Sequence, residues 1–138
     1  MIDTPTPWIA LLDDDEDDFM FWQYGFDNWA KTISLKWFVS AESFLGEAAK
    51  AANRPTAIVL DGVVPTDDQE AWLTTFLGHV CCQNIPVFML SGQFNQEQQQ
   101  RFLALGASGY LVKPTSFQEL QDIILKVVDK QGPPVASL

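Results

Sequence analysis

Four short apolar runs recur along this chain: Trp8–Leu12, Ala57–Leu60, residues 86–90 and Gly109–Val112. Continuous apolar stretches of four or five residues read as strands buried on both faces, the pattern of a parallel sheet. A fifth strand is expected over residues 33–39. There Ile33, Leu35, Trp37 and Val39 alternate with Ser34, Lys36 and Phe38. Period-two alternation suits an edge strand with one wetter face. Helical patterns fill the intervals at 16–31, 41–52, 69–82 and 96–105, and a last helix runs from Ser116 to about residue 129. Ser40 is placed to cap the second helix. Gly106 is placed to stop the fourth. Ser116-Phe117-Gln118-Glu119 reads as a capping box, and Phe117, Leu120, Ile124 and Val127 fall on one face of the last helix. Five strand–helix units make a doubly wound α/β fold with helices on both faces of the sheet.

At 138 residues the chain has the length of one domain, and 47% hydrophobic residues suffice for a real core. A formal net charge of −10 argues against nucleic acid and against an anionic membrane surface as direct ligands. No apolar stretch reaches the roughly 18 residues of a bilayer span. The first residues lack a basic and an apolar signal region, so a cytoplasmic location is expected. Residues 131–138 read as a tail, too short to be an output domain. Cys81 and Cys82 are adjacent, a spacing that fits neither zinc nor a C-x-x-C pair, and they read as two ordinary thiols. The one histidine, His79, has no catalytic company and reads as structural or exposed.

Polar residues stand at the ends of the apolar runs. Asp13-Asp14-Asp15 follows the first, Asp61 the second, Ser91 the third, and Lys113-Pro114 the fourth. In open α/β sheets the C-terminal strand ends line one shared crevice, so these carboxylates, hydroxyl and ammonium are expected to converge. Such a set suits a divalent cation and an activated phosphoryl group.

With these motifs in this order, the chain resembles a bacterial two-component response-regulator receiver domain of the stand-alone, chemotaxis-regulator-like kind. The resemblance covers about residues 6–130. It rests on the acidic cluster after Leu12, on Ile58-Val59-Leu60-Asp61-Gly62-Val63-Val64-Pro65, on Met89-Leu90-Ser91-Gly92, and on Gly109-Tyr110-Leu111-Val112-Lys113-Pro114. The intervals of 30 residues from Asp61 to Ser91 and 22 from Ser91 to Lys113 are usual in that family. The resemblance implies a flavodoxin-like strand order of 2-1-3-4-5. It implies that Asp61 accepts a phosphoryl group from a sensor histidine kinase or a histidine phosphotransfer protein. Asp13 and Asp14 would hold Mg²⁺, Asp14 directly and Asp13 partly through water, with the Val63 carbonyl completing the site. Lys113 would pair with phosphoryl oxygens, Ser91 would sense them, and Tyr110 would be the aromatic switch. A cis peptide would precede Pro114. The altered surface of the fourth helix, fifth strand and fifth helix would bind an unknown downstream protein. Such a protein is not an enzyme toward external substrates; it catalyses its own phosphorylation and dephosphorylation.

The chemistry agrees with the residue types. Phosphoryl transfer needs in-line positioning and cancellation of charge on the equatorial oxygens. Clustered carboxylates repel one another by roughly 4 kcal/mol per pair at about 4 Å and an effective dielectric near 20. A cation that prefers oxygen ligands removes most of that cost.

Blander readings stand beside these. Acidic residues favour helix starts, and Asp15, Asp17 and Asp18 read as cap and dipole residues only. Ser91 alone would read as a helix cap. An EF-hand fails because the chain has Asp18 and Tyr24 where the loop wants Gly and Glu. Three other functions compete: a receiver-like module that signals without phosphorylation, a phosphohydrolase using Asp13-x-Asp15, and, least of all, a flavin-binding flavodoxin.

The chain departs from the family pattern at Gln69, where glycine is frequent, and at Val63, where many relatives are polar. Val63 cannot orient a hydrolytic water, although Gln93 can, so slow to moderate autodephosphorylation is expected. Gly92 should leave the site open. The first helix carries Phe19, Met20, Phe21, Trp22, Tyr24, Phe26 and Trp29 over more than one face. A helix apolar all round is buried or meets a partner, so a docking surface for a kinase, a phosphotransfer domain or a second copy is expected there.

Overall fold

A computed structural model of the chain describes residues 6–48, 54–61, 69–79 and 82–129. The elements alternate as β1 (Trp8–Leu12), α1 (Glu16–Trp29), β2 (Ser34–Phe38), α2 (Ala41–Ala48), β3 (Ala57–Leu60), α3 (Gln69–Gly78), β4 (Val87–Ser91), α4 (Gln96–Leu105), β5 (Gly109–Val112) and α5 (Phe117–Asp129). All strand pairs are parallel, in the order β2-β1-β3-β4-β5.

The sheet is buried on both sides because its central strands are apolar at every position. Alternation along β1 divides the core. Trp8, Ala10 and Leu12 face one layer with Phe44, Leu73, Phe76 and Phe102 from α2, α3 and α4. Ile9 and Leu11 face the other, with Trp22 and Phe26 of α1 and Leu120, Ile124 and Val127 of α5. The edge strand departs from its expected alternation. Phe38 is buried against Trp8 and Phe44, and Val39 lies beyond the strand and exposed. The ladder ends at Phe38, and the chain turns there into α2.

The caps form as the residue types require. Asp15 accepts from Asp17 N at the start of α1, and Ser40 accepts from Ser43 N before α2. Gly106 closes α4 at φ 116°, a left-handed conformation that suits glycine. At α5, Ser116 Oγ accepts from Glu119 N, but the Glu119 carboxylate reaches Thr115 N and Oγ1 rather than the Ser116 amide. These bonds hold the exposed Glu119 carboxyl below its usual pKa. Cys82 is fully buried and disulfide-bonded, contrary to the reading of two thiols; Cys81 lies outside the described residues. Among the described residues no helix is long and apolar enough to cross a membrane.

Candidate functional site

Backbone bonds carry the sheet one residue past its strands and fix where the polar side chains begin. Asp13 N donates to Phe38 O at 3.1 Å, Asp61 N to Leu12 O at 2.8 Å, and Lys113 N to Ser91 O at 2.8 Å. Three polar residues are thereby held at the same end of the sheet, after β1, β3 and β5. Lys113 Nζ lies 3.0 Å from Asp61 Oδ2. Asp61 and Asp13 are buried, at 5% and 1% exposure. One oxygen of Asp13 accepts from Asp15 N at 2.9 Å. The other, Oδ2, is buried without a hydrogen-bond partner among the described residues.

Burial pushes the Asp13 carboxyl up to about 8. The Asp15 amide opposes this, and the neighbouring Asp61 and Asp18 reinforce it. Burial likewise raises Asp61, although Lys113 pulls it down. Burial works against the Lys113 ammonium too, but bonding to Asp61 and the charges of Asp61, Asp18 and Asp13 outweigh it and raise its pKa.

The third acidic residue in the group is not the expected one. Asp13, Asp18 and Asp61 each bring a carboxylate oxygen within 4.8 Å of the others. Asp14 is exposed beside them and is not among these three. Asp18 stands at the third position of α1, where side chains lean back toward the helix start. That lean carries it over the strand ends, to 3.4 Å from Lys113 Nζ. The spacing of five residues from Asp13 to the first turn of a helix was the available signal. Trp37 is a second residue not anticipated here. Its Nε1 donates to Asp13 O at 2.6 Å, and its ring stacks on Phe19 with centroids 5.0 Å apart.

Ser91 does not point its hydroxyl at the carboxylates. Its Oγ donates to Gln93 O at 2.6 Å. Tyr110 is already buried, and its single Oη proton has two acceptors in reach, Gln98 Oε1 at 2.9 Å and the same Gln93 carbonyl at 3.3 Å, while the Oη accepts from Asn95 N. Ser91 and Tyr110 are thus linked through one shared acceptor. A Cβ at Gly92 would meet nothing within 4 Å, so the loop is open there. The expected cis bond before Pro114 is absent; the described residues contain no cis peptide. The trans form is favoured by about 0.5–1 kcal/mol even before proline. Val63 lies outside the described residues, as does Pro65.

Residues present here fit a hard divalent cation. The ligand atoms are oxygens, one of them buried and without a hydrogen-bond donor among the described residues, and the local charge is negative. The aromatic residues of α1 divide. Phe19 is half-buried on Trp37, whereas Tyr24 is half exposed and packs on Phe117 of α5 at 4.8 Å.

No known protein-family model matches the sequence. The transcriptional regulatory protein PrrA of Mycobacterium tuberculosis is 30% identical over 130 residues, which cover 92% of this chain and 52% of that protein. The chain therefore spans about half the length of this curated relative. Among solved structures, the phosphorylated cyanobacterial phytochrome response regulator RcpA superposes with a TM-score of 0.75 at 20% identity, over 90% of this chain and 95% of that one. The Mn²⁺-bound response regulator Rcp1 gives 0.72 at 20% identity, over 86% and 92%. The chain has the fold of solved response regulators, and in sequence it is similar over most of its length to the transcriptional regulatory protein PrrA.

Proposed function

We propose that residues 1–130 form a phospho-accepting signalling receiver in which Asp61 is the acceptor. The observation that carries this reading is the 3.0 Å pair of Lys113 with a buried Asp61, beside an Asp13 oxygen that has no donor among the described residues. One Asp61 oxygen attacks the phosphorus of a phosphohistidine. The new O–P bond forms as the P–N bond breaks, and the imidazole leaves with the electron pair. The Asp61 backbone is fixed by its N–H bond to Leu12 O and its carboxylate by Lys113, so little reorganisation precedes attack. Lys113 stays beside the reacting oxygens as a fixed positive charge. Bound Mg²⁺ supplies the remaining charge cancellation, and Asp13, Asp14, Asp61 and the Val63 carbonyl are the residues proposed to hold it. The kinship in fold with Mn²⁺-bound Rcp1 supports a divalent cation.

Phosphorylation then turns Ser91 Oγ from Gln93 O toward the phosphoryl oxygens. Loss of that bond alters the carbonyl on which Tyr110 also depends, and so reshapes the surface of α4, β5 and α5. A cleft of about 320 Å³ on that surface, between Tyr110, Val112, Lys113, Glu119, Ile123 and Lys126, is available to a downstream protein. Gln93 and the open Gly92 position govern water access, and Pro114 directs the turn into α5. A histidine kinase or phosphotransfer protein docks beside α1, or a second copy does so in a homodimer. The protein acts in the cytoplasm, without nucleic acid or membrane as a direct partner, and is not an enzyme toward external substrates.

The phosphohydrolase alternative is disfavoured, because Asp15 is exposed and spends its carboxylate capping α1. Intact-mass measurement after treatment with acetyl phosphate tests the proposal. Wild type gains one phosphoryl mass in Mg²⁺ and none in EDTA, and Asp61→Asn gains none. An unshifted wild type in Mg²⁺ contradicts it. An unshifted wild type that still binds partners favours the phosphorylation-independent module.

A further inference from the structure

We propose that Asp18 is a further carboxylate ligand of the divalent-cation site, beyond Asp13, Asp14 and Asp61, a role that rests on the receiver reading above. Two independent observations carry it. First, Asp18 shares a cluster with Asp13 and Asp61 in which one oxygen of each lies within 4.8 Å of the others. Second, Asp13 contributes a side chain that is only 1% exposed, and its Oδ2 has no hydrogen-bond partner among the described residues. A buried carboxylate beside two others, with one oxygen lacking a hydrogen-bond donor among the described residues, is left under-satisfied. A cation is the ligand class that satisfies it.

Asp18 is set apart from the acidic residues around it. Asp15 caps the helix, and Asp17 is exposed. Asp18 instead turns inward, half-buried, and Lys113 holds it at 3.4 Å while holding Asp61 at 3.0 Å. Its place in the first turn of α1 gives it a rigid base, anchored by Phe19 N donating to Asp15 O and by Trp22 and Phe26 in the core. An additional carboxylate would supply a bound cation with one more oxygen ligand and a further negative charge. Both effects favour binding of Mg²⁺ and Mn²⁺.

The experiment measures binding directly, apart from phosphorylation. Free Mn²⁺ is followed by electron paramagnetic resonance, and Mg²⁺ by calorimetry, for wild type, Asp18→Asn, Asp18→Ser and Asp17→Asn. Asp17→Asn removes the same unit of net charge one residue away, at an exposed position. Thermal melts confirm that each variant is folded. Both Asp18 variants are expected to weaken Mn²⁺ binding by about tenfold or more, equivalent to about 1.4 kcal/mol. Asp17→Asn is expected to change it by less than about twofold. Equal effects at positions 17 and 18 overturn the inference. If wild type binds Mn²⁺ and is phosphorylated while the Asp18 variants bind as tightly as it does, the inference alone fails. If wild type neither binds the ion nor accepts a phosphoryl group, the receiver reading itself fails.

Discussion

Replacing Asp13 by Asn should stabilise the cation-free protein, although Asp13 is among the most buried residues of the site. Asparagine keeps the size of the side chain and the oxygen that accepts from Asp15 N. It removes a charge that has no donor on Oδ2 among the described residues and lies within 4.8 Å of the Asp18 and Asp61 oxygens. At that separation each like pair costs about 3–4 kcal/mol with an effective dielectric near 20. Lys113 offsets part of it, which leaves an expected gain of about 2 kcal/mol, or about 7 °C in Tm for a chain of this length. The gain depends on pH. Asp13 titrates near 8 in the folded protein and near 3.8 when free. Below about pH 4 the carboxyl is protonated in both states, and the charge penalty is absent. As pH rises from there through about 8, the unfolded chain releases the proton first, and wild type loses stability relative to the variant. Thermal melts in EDTA at pH 5 and pH 8 measure the difference. The variant should melt higher at pH 8, with the gap shrinking toward pH 5. Saturating Mg²⁺ should raise wild type and leave the variant nearly unmoved. An Asp13→Asn protein that melts below wild type at pH 8 in EDTA, or a gap that ignores pH, refutes the reasoning.

Three further outcomes are expected. Trp37→Phe removes the indole donor to Asp13 O but keeps a ring for Phe19, and should cost about 1 kcal/mol in urea unfolding while weakening Mg²⁺ binding measured by calorimetry. Gly25→Ala places a Cβ in collision with Ile124 Cδ1 and 3.0 Å from Leu120 Cδ2, so it should destabilise the α1–α5 contact by about 1–3 kcal/mol in the same assay. Gln93→Ala should lengthen the lifetime of phosphorylated protein, followed by loss of the phosphoryl mass; an unchanged lifetime removes Gln93 from water positioning.

Strand positions were legible because burial on both faces leaves no room for polar residues between Trp8 and Leu12 or between Ala57 and Leu60. The site was legible at Asp13, Asp61 and Lys113 for a related reason. Each is the first polar residue after such a run, and the sheet itself carries those residues into one crevice. Asp18 was not, since its place beside Asp13 and Asp61 depends on the direction in which a first-turn helical side chain leans, not on its position in an acidic run. Phe38 and Val39 exchanged their expected environments because the edge strand ends one residue early and turns into α2. The orientation of Ser91 toward Gln93 O, and the buried setting of Tyr110, reflect a choice among side-chain rotamers that residue order does not encode. Val63 and the rest of residues 62–68 lie outside the described residues, so expectations for that loop stand as they were read.

The account depends on Asp61 becoming a mixed anhydride while its acidic neighbours do not. Borohydride reduction converts an aspartyl phosphate to homoserine, and peptide mass spectrometry then locates the reduced residue. After exposure to acetyl phosphate and Mg²⁺, homoserine is predicted at position 61 alone. Homoserine at 13, 14 or 18, or at no position, contradicts the account.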